Sequence, residues 1–108
     1  DRDKGKRPLM AAAAQAGADY LVLTSDNPRS EDPAHILSDI SAGLTQPAWR
    51  VEADRRSAIH ATINAAQPED WVLLAGKGHE TYQIVGEQIL PLSDIDEAQV
   101  ALMQKAGL

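Results

Sequence analysis

An α/β layered fold with parallel central strands is what this 108-residue sequence predicts. Three observations carry that expectation. Two short apolar runs, Tyr20–Thr24 and Trp71–Ala75, have the length and composition of buried parallel strands. Each runs into a polar loop built from turn formers. Helical patterns separate the runs, giving the order helix–strand–helix–strand–helix–strand–hairpin–helix.

The elements follow in chain order. Residues 6–17 are alanine-rich, with Leu9, Ala13 and Ala16 expected on the inner stripe and Gly17 as the stop. The strand Tyr20–Thr24 ends in Ser25-Asp26-Asn27-Pro28-Arg29-Ser30, which cannot continue it. Asp32 before Pro33 predicts the cap of a second helix, with Ile36, Leu37, Ile40 and Leu44 at helical spacing and Gly43 and Pro47 at its end. Trp49–Glu52 is a short strand.

A third helix starts at Asp54 and carries Ala58, Ile59, Ile63 and Ala66 on one face. Thr62 shares that face, where its hydroxyl can bond back to a carbonyl one turn earlier. The strand Trp71–Ala75 leads into Gly76-Lys77-Gly78-His79-Glu80. Tyr82–Val85 and Gln88–Leu90 flank Gly86-Glu87 as a hairpin. Ser93 or Asp94 caps a last helix using Ile95, Ala98, Leu102 and Met103, with Lys105 in its last turn and Gly107 as the stop. Trp49 and Trp71 are expected as core or boundary aromatics, and His35 and His60 fall in helices with no partner evident from sequence.

Composition narrows the chemistry. A chain of this size can bury about two-thirds of its unfolded surface, enough for one core. With no cysteine, thiol catalysis, disulfide scaffolds and zinc ribbons are excluded for this stretch. Ten Lys and Arg against 16 Asp and Glu give −6, which argues against nucleic acid as the main partner. No apolar run approaches membrane-spanning length, so no membrane partner is expected and the domain is read as cytoplasmic. Four of the ten basic residues nevertheless crowd into the first seven positions. That opening is either a polar tail or a functional loop cut from the element before it.

In parallel sheets, binding groups collect on loops past the carboxyl ends of strands. Two loops qualify. In Asp26-Asn27-Pro28-Arg29, Pro28 stiffens the turn, and a guanidinium held there suits bidentate capture of a carboxylate or phosphate. On residue types alone the same stretch more readily forms an Asx-turn into the next helix with Arg29 solvated. In Gly76–Glu80 the glycines allow positive φ and close ligand approach. The spacing of a phosphate-binding P-loop is absent, and His79-Glu80 is not a metal pair at helical spacing. His79 reads best as a loop histidine on nearby backbone. Glu80 beside backbone carbonyls suits an ammonium group, or is a solvated carboxylate. Arg29, Asn27 and Glu80 together complement a zwitterionic amino acid better than a nucleotide.

At these residues the chain resembles the C-terminal domain of the Mur ligases. Asp1-Arg2-Asp3-Lys4-Gly5-Lys6-Arg7-Pro8 is similar to the tail of a family motif that begins with two further glycines. Asp26-Asn27-Pro28-Arg29 resembles the motif of the meso-diaminopimelate-adding branch. Ala75-Gly76-Lys77-Gly78-His79-Glu80, followed by Tyr82 and Gln83, resembles a third motif. Three motifs in the family's order make the resemblance specific, and it covers almost the whole chain.

The resemblance implies a three-layer αβα Rossmann-like domain, mainly parallel with a C-terminal hairpin, truncated at its N-terminal strand. Residues 1–108 would be the amino-acid-binding domain of a larger three-domain enzyme. That enzyme would be a bacterial ATP-dependent ligase of cell-wall peptidoglycan synthesis. It would add meso-diaminopimelate to a UDP-N-acetylmuramoyl dipeptide, with ATP and Mg²⁺ held mainly by an absent central domain. No metal is expected in this stretch, and alone it would not catalyse ligation. Arg2, Asn27, Arg29, Gly76 and Glu80 would bind diaminopimelate, and Lys4 would face the reacting phosphate. The alternatives are a lysine-adding or folate-polyglutamate ligase domain, a stand-alone α/β nucleotide-binding module, and a protein-interaction domain.

Overall fold

The computed structural model describes residues 6–76 and 80–107. Its elements are α1 (Lys6–Gly17), β1 (Val22–Thr24), α2 (Pro33–Ser41), β2 (Arg50–Glu52), α3 (Arg55–Ala65), β3 (Tyr82–Val85), β4 (Gln88–Pro91) and α4 (Asp94–Lys105). β1 and β2 form a parallel pair with Leu23 opposite Val51, the α2 crossover lying between them. β3 and β4 form the expected antiparallel hairpin, Val85 opposite Gln88, turning at Gly86 with φ +61°. An isolated bridge between Arg29 and Val85 joins the loop after β1 to the hairpin.

Local chemistry sets the helix starts. The Asp32 side chain accepts from Ala34 N at 3.0 Å with Pro33 in the first turn. Asp54 accepts from Ser57 N at 3.2 Å. Ser93, rather than Asp94, caps α4, accepting from Asp96 N at 3.3 Å. Acidic residues in the first turn of α4 and Lys105 in its last turn complement the helix dipole. Thr62 Oγ1 donates to the Ala58 carbonyl at 2.7 Å, the expected back-bond.

The core lies between α3 and α4, where Ile59, Ile63 and Ala101 are buried and Leu74 and Ala98 pack against them. α3 presents the expected face, Ala58, Ile59 and Ile63, with Arg55 added to it. α1 and α4 correct the sequence reading. In α1 the inner face is Arg7, Ala11 and Gln15, while Leu9, Ala13 and Ala16 are exposed. Arg7 turns inward because its guanidinium bonds Glu31 at 2.7 Å and Asp39 at 3.2 Å. Gln15 joins it by bonding the Thr45 N–H and the Gln46 carbonyl. In α4 the buried residues are Asp94 and Ala101, and Ile95, Leu102 and Met103 are exposed. Glu97 accounts for that rotation by pairing with His60 at 2.9 Å and with Arg56 at 3.0 Å.

Trp71–Ala75 is the other correction. It is not a strand among the described residues, and Trp71 is 99% exposed, far from a core or boundary position. An apolar run becomes a strand only when a neighbour takes up its backbone groups in a ladder. Here only Leu74 turns to the core. β1 also starts later than expected, at Val22. Tyr20, 74% exposed, meets Trp49 edge to face at 6.1 Å, and Arg50 lies 5.6 Å from the Trp49 ring. No helix among the described residues is long and apolar enough to cross a membrane.

Candidate functional site

The loop Asp26–Arg29 leaves the carboxyl end of β1 and is strapped along β3. Asn27 Oδ1 accepts from Ile84 N at 2.9 Å, and the Arg29 N–H donates to the Ile84 carbonyl at 3.1 Å. The Gly86 N–H returns a bond to the Arg29 carbonyl. Buried Gln83 reinforces the start of the loop, its Nε2 donating to the Asp26 carbonyl at 2.6 Å and to Ser25 Oγ at 3.2 Å. Ser25 Oγ in turn donates to the Ala53 carbonyl at 2.5 Å.

These bonds hold Arg29 at φ +55°, the left-handed region that L-residues other than Asn and Asp avoid. Pro28 beside it is buried, while the Arg29 side chain is exposed. The guanidinium is therefore aimed into solvent from a backbone with little freedom.

Gly76 lies close to the same loop. It has φ +99°, and a Cβ there would stand 3.7 Å from Asp26 Oδ2. Space would permit a side chain, whereas the backbone angle favours glycine. Glu80 is half-buried two residues before β3, with the Tyr82 hydroxyl 3.5 Å from its Oε2. Asn27, Arg29, Gly76 and Glu80 thus all sit on segments tied to β3 or to the end of β1. Lys77, Gly78 and His79 lie outside the described residues, as do Arg2 and Lys4.

The residue that sequence reasoning missed is Arg55. It opens α3, its side chain is 4% exposed, and it makes a bidentate pair with Asp94 at 2.8 and 2.6 Å. Its remaining donors reach the Ser25 carbonyl at 3.2 Å and the Ala75 carbonyl at 3.0 Å. Burial works against the charge, yet the bonds to Asp94, its negative charge and that of Asp26 outweigh it, raising Arg55 above the ordinary arginine range. A signal was present: Arg55 shares the helical face of Ala58, Ile59 and Ile63, and a cation on an apolar stripe demands a partner.

Arg7 is also raised, led by its hydrogen bonds to Glu31, with burial opposing. The two histidines without evident partners acquire carboxylates: His60 at 2.9 Å from Glu97, and exposed His35 at 3.8 Å from Asp39. Two shallow hollows lie away from the loops. One of about 330 Å³ sits between α3 and α4 at His60 and Ala101, the other of about 440 Å³ between α2 and β2 at Leu37 and Val51. Among the described residues no cluster of three His, Asp or Glu could hold a metal ion.

Residues 1–78 match the family model described as Mur ligase, glutamate ligase domain. The chain is 51% identical over 107 residues to the UDP-N-acetylmuramoyl-L-alanyl-D-glutamate–2,6-diaminopimelate ligase of Alkalilimnicola ehrlichii, covering 99% of the chain and 22% of that protein. It is 54% identical over 103 residues to the ligase of the same name from Vibrio vulnificus, covering 94% and 21%. The Listeria monocytogenes ligase of that name is 47% identical over 109 residues, covering 100% and 22%. A solved structure of a ligase of that name superposes with a TM-score of 0.91 at 42% identity, covering 98% of this chain and 22% of that one. The chain therefore spans about a fifth of the length of each relative.

Proposed function

Because the chain belongs to the Mur ligase family, with the α/β fold of that family's C-terminal domain, we propose that it binds the incoming amino acid in a meso-diaminopimelate-adding ligase. The observation that carries this reading is the Asp26–Arg29 loop, whose strained, multiply bonded backbone carries Arg29 with its side chain exposed. Relatives bearing the 2,6-diaminopimelate ligase name support this branch over a lysine-adding one.

In the full-length enzyme, the carboxylate of UDP-N-acetylmuramoyl-L-alanyl-D-glutamate is phosphorylated by ATP to an acyl phosphate. The amine of diaminopimelate then attacks the acyl carbon, forming the amide and releasing phosphate. Mg²⁺ would shield the phosphate charges, and both it and ATP would be held mainly by a central domain outside this chain. This chain's own part would be to bind and orient the incoming amino acid. A nucleotide-linked substrate of this kind places the enzyme in the bacterial cytoplasm.

The residues divide by charge. Arg29 pairs with the carboxylate at the non-reacting end of diaminopimelate. Asn27 commits Oδ1 to Ile84, which leaves Nδ2 as the donor toward the same carboxylate. Glu80 and the Gly76 carbonyl take the ammonium of that end. By the resemblance, Arg2 would add positive charge and Lys4 would serve the phosphate; both lie outside the described residues. Lysine lacks the second carboxylate and so forgoes the charge-assisted bond to Arg29, a difference of roughly 1.5–3 kcal/mol or tenfold and more in discrimination.

The test is Arg29→Ala in the full-length ligase, with KM measured separately for each substrate. At least a tenfold rise in KM for diaminopimelate is expected, with KM for ATP unchanged. Unaltered kinetics with diaminopimelate would sink the assignment.

A further inference from the structure

The two loops of the candidate pocket leave segments almost fifty residues apart in sequence, yet a shared ligand requires a fixed spacing between them. One side chain spans both. Arg55 donates through Nη1 to the carbonyl of Ser25 at 3.2 Å and through Nη2 to the carbonyl of Ala75 at 3.0 Å. Ser25 immediately precedes Asp26, and Ala75 immediately precedes Gly76. The guanidinium thus holds the last residue before each loop.

Asp94 fixes the plane of that guanidinium. It accepts from Nε at 2.8 Å and from Nη2 at 2.6 Å, and both side chains are 4% exposed. A rigid planar fork bound along one edge by a carboxylate has its other donors fixed in direction. Lysine cannot reproduce this, because its ammonium has no fork to be oriented. Asp94 is itself anchored in the first turn of α4, which packs on α3.

The geometry points to Arg55, oriented by Asp94, as the positioning residue that sets the separation of the Asp26–Arg29 loop from Ala75 and Gly76, and so the affinity for the incoming amino acid. It touches neither substrate nor reacting atoms in this role. The inference rests on the diaminopimelate reading above.

The test compares Arg55→Lys and Asp94→Asn in the full-length ligase with Arg29→Ala as the reference. Both are expected to raise KM for diaminopimelate at least tenfold while KM for ATP and for the nucleotide dipeptide stay within twofold. Replacement of Asp94 by Asn keeps the side-chain shape but removes its charge and one of the two acceptors that hold the guanidinium. A merely structural pair would lower the amount of folded enzyme and the apparent kcat with every KM unchanged, and that result overturns the inference. Failure of both variants to accumulate as folded enzyme overturns it too, since the pair would then hold up the whole domain.

A second arm does not depend on the substrate. In the 108-residue chain, Arg55→Lys should shift the backbone amide resonances of Asp26–Asn27 in one loop and of Gly76 in the other together and leave those of α1 in place. Either of these groups staying unmoved refutes the coupling. If Arg29→Ala raises the diaminopimelate KM but Arg55→Lys does not, only this inference falls. If Arg29→Ala has no effect while the loop amides still move together, the substrate assignment falls and the coupling stands.

Discussion

Arg29→Gly separates what the backbone at this position costs from what the side chain does. Arg29 occupies φ +55°. A non-glycine residue in the left-handed region costs roughly 1–2 kcal/mol. Glycine removes that cost but loses about 0.5–1 kcal/mol more backbone entropy on folding. The balance favours the glycine variant by about 0.7 kcal/mol. None of the restraints on this position uses the arginine side chain: the N–H bond to Ile84, the carbonyl bond from Gly86 and the Asn27–Ile84 bond all survive. Arg29→Ala retains the strain and, at an exposed side chain, should stay within about 0.5 kcal/mol of the parent.

Urea unfolding of the chain, followed by tryptophan fluorescence, distinguishes the three proteins. With m near 1–3 kcal/mol/M, the glycine variant should unfold about 0.2–0.7 M later than the parent. In the full-length ligase the same substitution should cost as much diaminopimelate affinity as Arg29→Ala. A glycine variant less stable than the alanine variant refutes the strain argument. One that keeps the parent's KM for diaminopimelate refutes the guanidinium's role, because the loop backbone would then suffice.

Two further substitutions test the fold around the site. Gly43→Ala would drive a Cβ into the Pro8 carbonyl, so α1 must move away from the turn that follows α2. A loss of about 1–3 kcal/mol is expected in urea unfolding, and a neutral variant would show that α1 does not meet that turn. Trp71→Ser removes a large apolar side chain that is 99% exposed. Its stability should change by less than about 0.5 kcal/mol, and a loss of several kcal/mol would mean that the indole is buried.

Sequence reading succeeded where the signal is local and chemical. The caps at Asp32, Asp54 and Ser93 act through bonds to amides two or three residues away, so residue type and position suffice to find them. The hairpin at Gly86 is similar. Hydrophobic contrast failed where there was little of it. α1 and α4 turn inward faces made of small residues and paired polar ones, Arg7-Ala11-Gln15 and Asp94-Glu97-Ala98-Ala101, and no apolar stripe marks them. Trp71–Ala75 has strand composition, but a strand is a relation between two segments, and composition describes only one. At the site, residue types pointed to Asn27 and Arg29, whereas Arg55 depended on partners 30, 20 and 39 residues away.

Those distant partners give the site its rigidity. The loop that presents Arg29 is held at its start by Arg55, through the Ser25 carbonyl, and at its far end by Arg7, through Glu31. Its middle is bound to β3 at Ile84 from both sides of Pro28. In an acidic chain of net charge −6, two buried arginines are thus spent on a segment of a few residues. Burying each cation is costly unless its donors are satisfied, and here carboxylates and carbonyls satisfy them. The consequence is that the Arg29 backbone does not have to be ordered by the ligand, which leaves only the exposed side chain to settle on a carboxylate. Preorganisation therefore serves selectivity against lysine as directly as it serves affinity for diaminopimelate. Loosening either anchor should erode the ratio of the two KM values before it abolishes turnover.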